Sequence, residues 1–213
     1  MKYKYIMWDW NGTILDDLEI NFETINTLLS KRGLQKMTDI SQYLDAFGFP
    51  IIGFYEKMGF DLENEKFQDI ARDYVREYYY RFPECEIFPN AEKVIRELYF
   101  SGVQQLIVSA TEQESLIKQV EEFGIDHLFS DILGRSDIFA GSKVDIGLLW
   151  VKENKADPKE ILFVGDTIHD FETAQNIGCD CVLVATGHNA KERLQLTGCT
   201  VISELSEILE MVK

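Results

Sequence analysis

Two textures of hydrophobic spacing divide the chain. From about Pro89 onward, short apolar runs alternate with stretches of helical periodicity. Asn90 is placed to cap a helix reaching Ser101, with Val94, Ile95 and Leu98 on one face and Gly102 ending it. Val103–Ser109 then reads as a strand. Thr111 followed by Glu114 resembles a capping box opening the next helix, whose stripe is Leu116, Ile117, Val120 and Phe123. A short strand is expected over Ser130–Leu133, a helix over Val144–Asn154 and a strand over Ile161–Val164. Helix Asp170–Ile177, strand Cys181–Ala185, a helix near Lys191–Leu196, strand Thr200–Ser203 and a terminal helix complete the series.

Residues 16 to about 83 read differently. They are helical in spacing and aromatic-rich, carry no convincing strand, and separate the first strand, Tyr3–Trp8, from the following units. Continuous apolar strands alternating with helices predict a parallel sheet covered on both faces. The fold class expected is therefore α/β: a Rossmann-like parallel-sheet core of residues 1–15 and 84–213, with a small all-helical cap, 16–83, inserted after the first strand. Such a cap would lie over the C-terminal edge of the sheet, where open α/β sheets bind ligands.

Composition narrows the partners. Nearly half of the 213 residues are hydrophobic, enough for a substantial core without disulfides. The four cysteines, Cys85, Cys179, Cys181 and Cys199, are too scattered for a disulfide or metal framework and are expected as small buried apolar residues. The formal charge of −16 disfavours nucleic acid, which needs a basic face. It also means that a phosphate site must build its own local positive field, as a divalent cation does. No run of about 18 apolar residues predicts a membrane span. Met1-Lys2-Tyr3-Lys4 leads straight into a strand, so a cytoplasmic protein is expected.

Four segments converge at one sheet edge if the strands are parallel. They are Asp9-Trp10-Asn11-Gly12-Thr13, Ser109-Ala110-Thr111, Lys143 within Gly141-Ser142-Lys143-Val144-Asp145, and Gly165-Asp166-Thr167-Ile168-His169-Asp170. Singly, each suits a turn residue, a helix cap or a solvated lysine. Together they offer a carboxylate nucleophile, a hydroxyl donor, a cation and two more carboxylates.

This set resembles the haloacid-dehalogenase-like superfamily of hydrolases, in particular its phosphoglycolate-phosphatase-like branch with a helical cap. The family opens on a hydrophobic strand followed by Asp-x-Asp-Gly-Thr, and here Ile6-Met7-Trp8-Asp9-Trp10-Asn11-Gly12-Thr13 stands in that place. Asp16-Asp17 and the stretch from Phe47-Gly48-Phe49-Pro50 to Gly59-Phe60 look like the same branch. The resemblance implies Mg²⁺ held by Asp9, the backbone carbonyl of Asn11, Asp166 and Asp170, with Asp9 also the nucleophile. It implies phosphoryl contacts from Ser109 and from backbone N–H groups near Trp10 and Ala110, with Thr13 and Thr111 beside them and Lys143 neutralising charge. The substrate implied is a small phosphorylated metabolite, phosphoglycolate by default, handled by a monomer or homodimer.

One position departs from the family pattern. The family's phosphatases carry an Asp two residues beyond the nucleophile for general acid–base work; here it is Asn11. An amide donates hydrogen bonds but exchanges no proton near neutral pH. The leaving group could be good enough to need no proton, or His169 or His188 could supply acid–base help. A C–P or C–halogen bond could be the target, C–P cleavage calling on a cap lysine such as Lys31, Lys36 or Lys57 as imine former. The protein could also bind phosphoryl groups with little turnover. Arg32, Lys57, Arg72, Arg76 and Arg81 could face the site, with Arg72 and Arg76 expected in solvated i,i+4 contacts. The run Tyr74, Tyr78, Tyr79, Tyr80 and Phe82 is expected as cap packing rather than a ligand cage.

Overall fold

The computed structural model describes residues 2–136 and 143–212. The chain opens with strand β1 (Tyr5–Trp8) and a two-residue strand β2 (Leu15–Asp16). Four helices follow: α1 (Leu18–Lys31), α2 (Ile40–Ala46), α3 (Ile51–Lys57) and α4 (Phe67–Arg81). Strand β3 (Glu86–Ile87) leads to α5 (Ala91–Phe100), β4 (Gln104–Glu112), α6 (Gln113–Glu122) and β5 (Asp131–Arg135). Then come α7 (Val144–Asn154), β6 (Ile161–Gly165), α8 (Ile168–Ile177), β7 (Asp180–Val184), α9 (Lys191–Gln195), β8 (Thr200–Ile202) and α10 (Ile208–Val212).

Six strands form one parallel sheet in the order β5-β4-β1-β6-β7-β8. Alternate residues of the central strands go to opposite faces, as the strand's two-residue period requires. Ile6, Trp8, Ile107, Leu162 and Val164 join one buried cluster with α5 and α6. Met7, Leu106, Val108, Ile161 and Phe163 join another with Trp150 of α7 and Ala174 of α8. Both faces are thus covered, the condition under which a parallel sheet is stable. The α/β fold expected from the apolar spacing is the fold observed.

Strand β1 sits at the point where the connections reverse. The chain runs outward from it through β4 to β5, then returns to β6 on its other side and continues to β7 and β8. The crevice beyond the carboxyl ends of β1, β4 and β6 is where such a sheet receives a ligand. Trp8 pairs with Ile107 on one side and Val164 on the other, so Asp9 emerges beside Val108 and Gly165, with Ser109 and Asp166 one residue further on.

Between β2 and β3 lie the four helices α1–α4, with a buried cluster of their own that includes Ile25, Leu28, Tyr43, Phe54, Tyr55 and Ile70. β2 and β3 pair antiparallel as a two-stranded ribbon at the base of this segment, a feature the sequence pattern did not suggest.

Several local expectations change. Asn90 does stand before α5, but in a left-handed conformation (φ 69°) and without a side-chain cap bond. Thr111 does not open α6. Strand β4 continues to Glu112, which pairs with Arg135, and it is the Glu112 carboxylate that accepts from the N–H groups of Glu114 and Ser115. All four cysteines are free, yet only Cys85 is buried; the other three are half-buried. Gly141 and Ser142 lie outside the described residues.

Candidate active site

The loop after β1 turns back on itself. Trp10 carbonyl oxygen accepts from the N–H groups of Thr13, Ile14 and Leu15, a tight winding that places Gly12 at φ +71°. A side chain at Gly12 would collide with Asp166, since its Cβ would fall 2.4 Å from Asp166 Oδ2. The bulk of Trp10 points away from this loop into the core, where its indole N–H donates to Gln119 Oε1 at 2.9 Å. Only the Trp10 backbone is therefore left to face the crevice.

Three carboxylates meet at the sheet edge. One oxygen each of Asp9, Asp166 and Asp170 lie within 4.8 Å of one another, and all three residues are buried. Lys143, at the start of α7 and equally buried, reaches Asp9 Oδ1 at 2.8 Å and Asp170 Oδ1 at 2.5 Å. Burial pushes the Asp9 carboxyl well above its ordinary range, and the neighbouring Asp170 charge adds to this, with Lys143 pulling the other way. Burial likewise lifts Asp166 to about 6. Asp170 is the exception: burial alone would raise it, but Lys143 and the hydrogen bonds from Thr167 hold it below the usual range.

Each carboxylate is oriented by a local device. Asp170 Oδ2 accepts from Thr167 N–H at 2.9 Å and from the Thr167 hydroxyl at 2.6 Å, while Asp170 N–H donates to Thr167 Oγ1. This is a capping box at the start of α8, so Asp170 both caps a helix and faces the crevice. Asp166 accepts from the Thr13 hydroxyl (3.1 Å) and from His188 N–H (2.6 Å). Thr13 is fully buried with its hydroxyl turned to Asp166, so its side chain positions a carboxylate. Gly165 and Gly187 keep the backbone clear: a Cβ at Gly187 would lie 2.1 Å from Asp166 Oδ2 and 2.5 Å from the Gly12 carbonyl oxygen.

Ser109 is buried and accepts from Thr111 N–H at 3.1 Å, with its hydroxyl 3.2 Å from Thr111 Oγ1. Thr111 in turn donates to Asn11 Oδ1 at 2.8 Å. Asn11 Nδ2 donates to Asp17 Oδ2 (2.8 Å) and to the Tyr78 hydroxyl (3.0 Å). The Asn11 side chain is thus fixed on three sides by neutral or anionic partners.

Behind Asn11 lies a buried network whose members are remote in sequence. Asp17 Oδ2 also accepts from Tyr78 and Asn21, each at 2.8 Å, and Asp17 Oδ1 accepts from Gly12 N–H at 3.0 Å. His188 Nε2 is 3.1 Å from Asp17 Oδ1 and its Nδ1 is 3.1 Å from the Tyr43 hydroxyl. Burial works against a charged imidazole, but the Asp17 carboxylate outweighs it and raises His188 to about 9. Burial would raise Asp17 too, yet the His188 charge and its hydrogen bonds hold it low. The sequence marks His188 as an acid–base candidate, whereas Asp17 stands out in it only within Asp16-Asp17 at the junction with the helical segment.

A cavity of about 210 Å³ opens over this floor. Asp9, Asn11, Ser109, Ala110, Thr111 and Lys143 line one side, and aromatic residues of the helical segment line the other. Tyr74, Tyr78 and Tyr79 are among them, so this part of the run faces the cavity instead of serving packing alone; Tyr80 is exposed and Phe82 lies in the core. The basic candidates do not reach it. Arg32 pairs with Glu65 and Asp73, Arg72 with Asp69, Arg76 with Asp73 and Arg81 with Glu77. The contacts of Arg72 and Arg76 are i,i+3 and solvated. Lys31 pairs with Glu77, and none of Lys31, Lys36 and Lys57 lines the cavity. His169 is also absent from the lining; its ring stacks on Phe49 with centroids 4.5 Å apart.

Comparison with known proteins bears on the family and the fold. Residues 6–184 match the model of the haloacid dehalogenase-like hydrolase family. The phosphoglycolate phosphatase of Vibrio parahaemolyticus is 23% identical over 219 residues, covering 98% of this chain and 96% of that protein. Among solved structures, a haloacid dehalogenase-like hydrolase from Streptococcus pneumoniae superposes with a TM-score of 0.85 at 18% identity, covering 100% and 99% of the two chains. A predicted phosphoglycolate phosphatase from Haemophilus somnus superposes with a TM-score of 0.81 at 21% identity, with the same coverage. At such identities the structures speak for the fold, and the family match speaks for membership. The chain belongs to the haloacid dehalogenase-like hydrolases and, within them, is similar to the phosphoglycolate phosphatases.

Proposed function

We propose that the chain is a Mg²⁺-dependent phosphatase of small phosphorylated metabolites that carries the phosphoryl group transiently on Asp9. The observation that carries this reading is Lys143 held between Asp9 and Asp170, with Asp166 beside them, at the floor of the cavity. Family membership and the phosphatase relatives support the reaction class.

The donor set fits a hard divalent cation. Three buried carboxylates crowd one point, and burial with mutual repulsion pushes two of them toward protonation. Oxygen ligands of this kind suit Mg²⁺. Asp9, Asp166, Asp170 and the backbone carbonyl of Asn11 are the groups that would hold it. When bound, Mg²⁺ supplies positive charge against a phosphoryl oxygen and lowers the repulsion between two anions.

The remaining work falls to the protein's own groups. The Asp9 carboxylate attacks phosphorus, the bond to the leaving oxygen breaks, and water then attacks the aspartyl-phosphate to release inorganic phosphate. Lys143 works against the protonation that burial favours at Asp9, and so favours the attacking carboxylate. Ser109 and backbone N–H groups at Trp10 and Ala110 donate to the phosphoryl oxygens, beside Thr111. Asn11 offers no proton to the leaving oxygen, and its amide is already bonded to Asp17, Tyr78 and Thr111. That arrangement favours a second reading, a phosphoryl-binding protein of low turnover.

Phosphate release from a panel of esters and acetyl phosphate, with and without Mg²⁺, separates the two. Release that needs Mg²⁺ and disappears in Asp9→Asn supports the phosphatase. No release from any member, even by an Asn11→Asp variant, would sink it. The high negative charge speaks against nucleic acid as substrate, and among the described residues no helix is long and apolar enough to cross a membrane. A soluble metabolite in the cytoplasm is the substrate setting proposed.

A further inference from the structure

We propose that the leaving group accepted by this site is apolar, uncharged and weakly basic, an aryl phosphate being the type, and that esters carrying a second anion are poor substrates. The proposal deepens the phosphatase reading and rests on it for the chemical step.

The first argument is the lining of the cavity. Opposite Asp9, its wall is made of Phe47, Phe54, Tyr55, Tyr74, Tyr78 and other apolar or aromatic side chains. A dry cavity of about 150 Å³ with such walls holds a benzene ring, so 210 Å³ accommodates an aromatic ring with room to spare. Small-molecule sites of this composition bind apolar bodies and use their few polar groups for orientation.

The second argument is charge. The acidic residues lining the cavity are Asp9, Asp17 and Glu112, and the basic ones are Lys143 and His188. Both basic side chains already face buried carboxylates, Lys143 between Asp9 and Asp170 and His188 against Asp17. The arginines and lysines of α1, α3 and α4 are not among the described lining residues. A carboxylate on the leaving group would enter a largely apolar space that already holds carboxylates, with no uncommitted cation among the described lining residues to receive it. Burying an unpaired charge is strongly unfavourable. Phosphoglycolate, with its carboxylate, is such a molecule.

The third argument is Asn11, and it is independent of the other two. When Asp9 attacks phosphorus, the P–O bond to the leaving group breaks and its electron pair goes to the departing oxygen. An alkoxide, nearly as basic as hydroxide, needs a proton as it leaves. A phenolate, whose conjugate acid has a pKa of about 10 as in tyrosine, departs as the anion and takes its proton from solvent afterwards. Water then attacks phosphorus, the bond to Asp9 breaks and its electron pair returns to the carboxylate. The net change is ester plus water to phenol plus inorganic phosphate. Cavity shape, charge and the missing acid select the same class of ester.

Steady-state hydrolysis with saturating Mg²⁺ tests the proposal on the unmodified protein. Phenyl phosphate is expected to exceed 2-phosphoglycolate by at least 100-fold in kcat/KM; an equal or higher value for 2-phosphoglycolate overturns the proposal. Calorimetric titration with benzylphosphonate and with phosphonoacetate, again with Mg²⁺, reads the same preference without turnover. Benzylphosphonate is expected to bind at least tenfold tighter, and phosphonoacetate binding as tightly or tighter overturns the proposal. If nothing is hydrolysed but benzylphosphonate is preferred, the phosphatase reading falls and the ligand class stands. Ile51→Arg, which adds a cation to the wall, is expected to shift the phosphonate preference at least tenfold toward phosphonoacetate. Failure of that shift in a folded variant places the leaving group outside the cavity and contradicts the proposal.

Discussion

Asn11 and Asp17 form a fixed donor–acceptor pair: the Asn11 amide donates to the buried Asp17 carboxylate at 2.8 Å. The same carboxylate pairs with His188, which comes from the loop beyond β7 at the far end of the chain. The Asp17 carboxylate lines the cavity beside Asn11, but it is committed to Asn11, Tyr78, Asn21, Gly12 N–H and His188, and the Asn11 amide relays no proton. The consequences for catalysis and stability can be measured.

Replacing Asn11 by Asp puts a second carboxyl against Asp17. Two carboxyls at that separation cannot both ionise, so one keeps a proton near neutral pH. That proton is available to a leaving oxygen. Asn11→Asp is expected to raise kcat for alkyl phosphates by roughly 10²-fold or more, within the usual range of general acid catalysis. Aryl phosphates, which leave without help, should change less than tenfold. Parallel rates on both ester classes decide it, and equal gains on both would contradict the role assigned to position 11.

Lys143→Ala removes the only cation held between Asp9 and Asp170 among the described residues. Breaking a buried ion pair by deleting one partner costs about 3–5 kcal/mol. Turnover is expected to fall roughly 10²–10³-fold, as when a preorganised charge-stabilising group is lost. The variant should also gain more from Mg²⁺ than the parent, because the ion then relieves carboxylate repulsion alone; the Tm rise on adding Mg²⁺ reads this directly.

The Asp17–His188 pair links folding to pH. The folded His188 titrates at about 9 against an ordinary 6.5. A raised pKa means stability that is fully present below 6.5 and is lost as pH climbs through 9. At about 1.36 kcal/mol per pKa unit this amounts to roughly 3 kcal/mol. Asp17 is held low instead, so its share is present above its ordinary 3.8 and is lost as pH falls through its lower folded value. Urea unfolding of metal-free protein between pH 6 and 10 should show the alkaline loss. In His188→Gln that loss should be largely absent.

Gly187→Ala should fail for a backbone reason. Its Cβ meets both Asp166 Oδ2 and the Gly12 carbonyl oxygen, neither of which belongs to a flexible side-chain end free to swing aside. Overpacking of this kind costs about 1–3 kcal/mol. Both the urea midpoint and Mg²⁺-dependent turnover are expected to drop. Gly53→Ala, on helix α3 with no positive φ and nothing within 4 Å of an added Cβ, serves as a control for activity.

What could be read from the sequence follows from how local each signal is. The helix Val144–Asn154 and the strand beginning at Ile161 are marked by their own apolar spacing, and both stand as expected. The β2–β3 ribbon has two residues per strand, too few to show a period. Thr111 looked like a helix cap because its spacing to Glu114 suits one, but pairing with β5 carries β4 three residues past Ser109 and moves the cap to Glu112. Asp9, Ser109, Lys143, Asp166 and Asp170 were legible because each follows a recognisable strand or opens a helix at the same sheet edge. The Asp17–His188 pair joins positions 171 residues apart, and nothing in either neighbourhood announces the other. The cavity-facing side of α4 is likewise set by how the helix lies on the sheet, so Tyr74, Tyr78 and Tyr79 read as packing until the two were placed together.

The central claim is that Asp9 accepts the phosphoryl group. Rapid acid quench of the protein with Mg²⁺ and phenyl phosphate, followed by mass spectrometry of the peptides, tests it most directly. The account predicts a phosphoryl addition on the peptide containing Asp9, absent in Asp9→Asn and absent without Mg²⁺. Phosphate release that proceeds undiminished in Asp9→Asn, or a phosphoryl group found on another residue, would contradict it.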